Sequence, residues 1–357
     1  MKFVLNVSVT LFVLIFLISC NKNGGDPAPA VPTNYYYPPL TGDTWETIDP
    51  EDLGWDITRL NETIDYVASN NSDAFIILYK GRIVTEKYWN GFTATSSKRI
   101  FSASKSIAGF LAGLAAEQGR LDINKKVSDY IGSGSSNSLL EKENQITVKH
   151  LITMTSGLKE NLTYEAEPGT KWFYNTTAYH KIYDVLAKVY NQTNAEYTSA
   201  QLWSKIGMQH SFWDTEPGFG DAGPSMSCSA RDMARFGLMI ISDGKWNGTA
   251  LLNDANYFQS MTNSSQTLNP SYGYLWWLNG KASYILPGTS PSLPGPLFPD
   301  APSDLIAALG YADKKIYVVK SKDLVVIRHG IASNAPVTLA ASSFDNEIWK
   351  RLMLSVK

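Results

Sequence analysis

A serine three residues ahead of a lysine, where an apolar-periodic run begins, is the pattern in this 357-residue chain with the most direct chemical reading. The stretch is Ile100-Phe101-Ser102-Ala103-Ser104-Lys105-Ser106-Ile107, followed by Phe110, Leu111 and Leu114 at one-face helical spacing. Residues three apart on a helix share a face, so Lys105 can reach the Ser102 hydroxyl. The positive end of the helix dipole also favours the alkoxide that attack requires. The same spacing recurs at Ser156-Gly157-Leu158-Lys159, but a glycine follows that serine and no amphipathic helix opens there, so Ser102 is the candidate nucleophile. The four histidines, His150, His180, His210 and His329, stand in no recognisable Ser-His-Asp context, and no Gly-x-Ser-x-Gly elbow occurs. The base is therefore expected to be lysine or tyrosine: a lysine in a dry cleft beside another cation loses proton affinity, and a tyrosine beside that cation becomes more acidic.

Elements able to position such a pair can be read on either side of it. Asp56 is a plausible N-cap for a helix carrying Leu60, Ile64 and Val67. Ala74–Tyr79 and Arg82–Trp89 read as a hairpin about Lys80-Gly81. Near the other terminus, 305–309, 315–319 and 324–327 read as strands and 346–354 as a closing helix. The expected fold is α/β, a sheet from about 45–102 and 303–357, flanked by helices and interrupted by a mostly helical region at about 103–290. The Pro-rich stretch 286–302 reads as a rigid surface loop.

Thirty-one Lys and Arg against 33 Asp and Glu leave a net charge of -2, which offers no excess of cations to a phosphate backbone, so nucleic acid is not an expected partner. The histidines and carboxylates show no ligand spacing, and no metal or cofactor is implied. The N-terminus is expected to be a signal peptide over 1–20: Met1-Lys2, the apolar run Phe3 to Leu17, then Leu17-Ile18-Ser19-Cys20. That ending resembles a bacterial lipobox, which makes Cys20 the expected lipid anchor and places the chain in the cell envelope, periplasmic or on the outer membrane. Residues 21–44, rich in Pro and Gly, read as a tether ahead of a catalytic body at 45–357. The remaining cysteine, Cys228, is given no catalytic role, and no intrachain disulfide can form in the mature protein.

Several of these segments together resemble the β-lactamase-related serine hydrolases, which include class C β-lactamases, D-aminopeptidases, certain esterases and nylon-oligomer hydrolases. Phe101–Ser106 is similar to the nucleophile motif, and Thr147–Leu158 to the stretch ahead of the second motif. Pro168–Thr176 is similar to the second motif, which puts Tyr174 in the general-base position. Ala230–Gly237 and Tyr272–Trp277 also match family segments. The resemblance implies a β-lactamase/transpeptidase-like fold and acyl transfer by Ser102, Lys105 and Tyr174.

The third motif, Lys-Thr-Gly or His-x-Gly on a strand edge, corresponds to Arg328-His329-Gly330. The next backbone N–H, at Ile331, then pairs with that of Ser102 as the oxyanion hole, while Thr176, Arg328, His329 and Gly330 meet substrate. Thr176 stands where the family usually has Asn, and Arg328 where it has Lys or His, departures that argue against efficient β-lactam turnover. Beside ester or amide hydrolysis stand two alternatives, a penicillin-binding or D,D-peptidase-type enzyme on cell-wall peptides and a non-catalytic ligand-binding lipoprotein. The sequence does not specify the acyl group or the oligomeric state.

Overall fold

The computed structural model describes residues 31–214, 225–289, 291–335 and 341–357, all within one compact unit spanning Val31–Lys357. The signal segment and Cys20 lie outside the described residues.

Local sequence chemistry sets the first elements. Helix α1 (Ile57–Ser69) starts where the Asp56 side chain accepts the Arg59 N–H, and its Leu60, Ile64 and Val67 are buried as their spacing requires. Strands β1 (Ser72–Tyr79) and β2 (Arg82–Tyr88) form the hairpin about Lys80-Gly81. Three short strands, β3 (Ser97–Arg99), β4 (Phe212–Asp214) and β5 (Ser225–Ser229), make a separate sheet in the order β3-β5-β4. The main sheet is completed by β6 (Trp277–Leu278), β7 (Ile306–Gly310), β8 (Lys314–Val319) and β9 (Leu324–Gly330). Its order is β2-β1-β9-β8-β7-β6, antiparallel throughout, with the edge strand β6 drawn from the interval that the sequence reading assigns to helices.

Helices α2 (Ser104–Glu117), α3 (Thr176–Tyr190), α4 (Ala230–Ile241) and α5 (Ser343–Ser355) complete the frame. The two faces of β9 take different partners, as its two-residue period demands. A methyl group placed on Gly237 of α4 would press on Val325, so α4 lies against one face. Arg328, on the other, stacks on Phe344 of α5. Below that second face Lys315 bonds Asp345 at 2.9 Å, and both side chains are completely buried. Helix α2 is enclosed on nearly every side from Ser104 to Ala115, so it runs through the core and does not lie amphipathically on the surface.

One expectation about the loops is revised. The segment read as a tether is docked from residue 34 onward. Tyr36 N donates to Lys80 O at 2.9 Å, the Tyr35 hydroxyl to Asp323 at 2.6 Å and the Tyr37 hydroxyl to Ser242 at 2.8 Å. Prolines leave backbone carbonyls unused, and here Arg235 and Gln209 each donate at 2.8 Å to the carbonyls of Pro39 and Leu40. Among its described residues, the Pro-rich stretch 286–302 is held as a rigid loop would be: Leu297 and Phe298 are buried, and the Asn279 amide bonds the carbonyls of Phe298, Ala301 and Pro302.

Candidate active site

Ser102 lies in a single 3-10 turn, Phe101–Ala103, that feeds into α2. Phe101 ahead of it has φ +48°, a left-handed conformation that a bulky residue adopts only when its surroundings hold it there. Those surroundings are visible: the Tyr311 ring meets the Phe101 ring edge-on at 5.6 Å, and Lys314 Nζ lies 5.7 Å from the same ring centroid. Ile100 N donates to Met226 O at 2.9 Å, which fastens the turn to β5.

One turn along α2, Lys105 is buried, and its Nζ lies 3.1 Å from Ser102 Oγ and 3.3 Å from Thr176 Oγ1. Tyr174 lies beside the pair: Lys105 Nζ is 5.0 Å from its ring centroid, and the ring stacks on Trp277 at 5.8 Å. Asn175 caps α3. Its side chain accepts the Ala178 N–H and donates to the carbonyls of Leu158 and Lys159, so the loop before α3 and the helix start form one unit. Ser102, Lys105, Tyr174 and Thr176 are thus brought together.

Burial decides the electrostatics. It draws the Lys105 ammonium down to about 7, against the smaller opposing pull of Glu160. Burial also pushes the Tyr174 phenol above its ordinary value, more than the hydrogen bond from Ser102 lowers it. The expected acidification of tyrosine is therefore reversed: the proton stays on Tyr174, and Lys105 is the group touching Ser102 that titrates near neutrality, while burial draws Lys314, beside the Phe101 ring, to about 7 as well. Because the amine is the basic form, kcat/KM should rise as pH passes upward through about 7 and level off above it, a limb read from a pH–rate profile on any turned-over ester. A limb near pH 10 would assign Lys105 an ordinary, solvated ammonium.

The third motif needs correction. Arg328 is fully buried on the α5 side of the sheet, away from Ser102, because alternation along β9 sends it there. Its guanidinium is bound to Ser72 Oγ and to the carbonyls of Asn70, Ala312 and Asp313. His329 faces the other way but is also fully buried, its Nε2 3.2 Å from Cys228 O and its ring 5.3 Å from Phe92. Gly330 packs against Asn71 O, and the Ile331 N–H, expected in the oxyanion hole, donates to that same carbonyl at 3.1 Å.

The strand end lying against the nucleophile turn is instead that of β7. A methyl group on Gly310 would stand 2.1 Å from Ile100 O, and Tyr311 follows directly. Sequence reading missed Gly310 and Tyr311, as well as Glu160, which accepts from Thr177 N at 2.9 Å and influences both Lys105 and Tyr174. The cue for β7 was the Gly-Tyr pair closing the strand-like run at 305–309.

The sheet, the helical region and the serine–lysine–tyrosine cleft define a β-lactamase/transpeptidase-like fold. A model of the β-lactamase family matches residues 64–328, and the chain belongs to that family of hydrolases. It is 24% identical over 267 residues to the 6-aminohexanoate-dimer hydrolase of Paenarthrobacter ureafaciens, covering 62% of this chain and 68% of the relative. Among solved structures, it resembles a protein from Bacillus anthracis assigned as a 6-aminohexanoate-dimer hydrolase, with TM-score 0.64 and 19% identity, covering 83% of this chain and 80% of that one. A protein from Bacteroides dorei assigned as a β-lactamase gives TM-score 0.68 at 15% identity, covering 85% of this chain and 99% of that one.

Proposed function

We propose that the protein is a serine hydrolase that cleaves an ester or amide bond through a Ser102 acyl-enzyme. The observation that carries the reading is the buried Lys105 amine 3.1 Å from Ser102 Oγ. Neutral Lys105 takes the hydroxyl proton as Oγ bonds to the carbonyl carbon. Tyr174, beside Lys105, relays a proton to the leaving group as its bond to that carbon breaks. Water, activated by the same pair, then attacks the acyl carbon and releases Ser102. The Ser102 N–H and the backbone at the β7 end, Gly310-Tyr311, are the donors best situated to meet the oxyanion. The relative named for a 6-aminohexanoate dimer favours a small amide or oligomer as substrate.

Intact-protein mass after exposure to a fluorophosphonate and, separately, to penicillin tests the reading. One phosphonate adduct per chain is expected. A penicillin adduct that persists for hours would favour the cell-wall peptidase, and no adduct on folded protein would leave a binding module. Export and lipid attachment at Cys20 belong to the same proposal, on the strength of the N-terminal pattern; incorporation of labelled palmitate should be lost in Cys20→Ala.

A further inference from the structure

An ammonium or amine that works as a base must stay on its serine in both protonation states, and most buried lysines are held by a carboxylate. Among the described residues no salt bridge reaches Lys105. Two of its contacts are hydroxyl oxygens, Ser102 and Thr176. On its remaining sides are two aromatic rings, Tyr179 with its centroid 4.4 Å from Nζ and Tyr174 at 5.0 Å. A ring face attracts a cation through its quadrupole and accepts an N–H weakly from an amine.

Tyr179 is the nearer of the two and is itself clamped. Its hydroxyl bonds that of Tyr183, and Tyr183 donates to Ser104 Oγ at 3.3 Å. Ser104 in turn donates to Phe101 O at 2.7 Å, in the turn that carries Ser102. The ring is fully buried on the first turns of α3. One hydroxyl chain therefore ties the ring beneath the base to the backbone beside the nucleophile.

We propose that Tyr179 is the positioning residue of the base: its ring face is the third partner of Lys105 Nζ and keeps that nitrogen on Ser102 Oγ, in place of the carboxylate such a lysine would otherwise need. The inference rests on Ser102 being the nucleophile. It differs from the role proposed for Tyr174, which passes a proton; the Tyr179 ring touches the base and no reacting atom.

The titratable groups that act on Lys105 are Tyr174 ahead of α3, Tyr179 and His180 on α3, and Glu160 on the preceding loop. Of these, Glu160 supports the ammonium, while burial and Lys105 keep His180 neutral, down at about 3. Burial and Arg328 also draw Lys314, 5.7 Å from the Phe101 ring, down to about 7, so a limb near pH 7 is assigned to Lys105 where it moves with substitutions at Tyr179.

The second-order rate of fluorophosphonate inactivation, followed from pH 5 to 10, reads the basicity of Lys105 without knowledge of the substrate. Tyr179→Leu should move the limb about one unit to lower pH, because the ammonium loses its ring partner, and should lower the plateau about tenfold because the amine wanders. Tyr179→Phe keeps the ring and should restore both. Should the leucine variant not fold, phenylalanines carrying one, two and five fluorines at position 179 keep the shape while draining the ring face, and the limb should fall stepwise. A limb that stays in place across the fluorinated series, or Tyr179→Phe behaving as Tyr179→Leu, overturns the assignment while leaving the nucleophile intact. Absence of labelling in the wild type overturns both.

Discussion

Ser102→Ala should reduce kcat/KM by about 10⁴-fold or more while leaving the thermal unfolding midpoint within a degree or two of wild type. The size follows from what is deleted. Lys105 directs its hydrogen bond at that oxygen, with Tyr174 beside it, and without the oxygen neither has a proton to move. Binding and the oxyanion donors remain, so a residual rate above water is expected, and substrate affinity should change little. Stability should hold because Ser102 is only half-buried and its loss opens no large cavity. Steady-state rates and calorimetry on the same preparation check both statements. A variant that retains a tenth of the activity would move the nucleophile elsewhere.

The second large effect is expected at a residue with no functional group. Gly310→Ala adds one methyl 2.1 Å from Ile100 O and 2.9 Å from Lys314 Cβ. Backbone, unlike a flexible side chain, cannot swing aside, so β7 and the nucleophile turn must part. Overpacking of this kind costs about 3 kcal/mol. A displacement of about 1 Å at the turn should cost about 100-fold in kcat. The φ of Gly310 is -113°, which any residue adopts, so the penalty is purely one of space. The pairing of a lower unfolding temperature with a kcat loss larger than any KM change is the signature; a loss of stability alone would place the β7 end outside the catalytic geometry.

Residues that act locally were legible in the sequence. Asp56 and the Leu60-Ile64-Val67 spacing specify α1, the Lys80-Gly81 turn specifies the hairpin, and the Ser102–Lys105 interval needs only the helical rise to bring the two together. What escaped notice depends on contacts between distant segments. Arg328-His329-Gly330 closes a strand as the third motif should, yet sheet order, not local pattern, decides which strand end meets Ser102, and that place falls to β7. The direction of the Tyr174 shift follows from enclosure by Trp277 and its neighbours, a fact of packing. Residues 34–44 form no helix or strand, as their prolines lead one to expect. Their docking depends on Arg235 and Gln209, more than 160 positions away.

That docking separates one anchoring point of the fold from its catalytic end. The strap joins the body where Tyr36 meets Lys80 and Tyr35 meets Asp323, at the turn end of the central strands. Gly310, Lys314 and the nucleophile turn lie at the other end, roughly 25 Å away along an eight-residue strand. The anchoring of the strap and the geometry of the nucleophile turn are therefore set at opposite ends of the same strands, so freeing Tyr35 from Asp323 by Tyr35→Phe should lower the unfolding temperature and leave kcat unchanged.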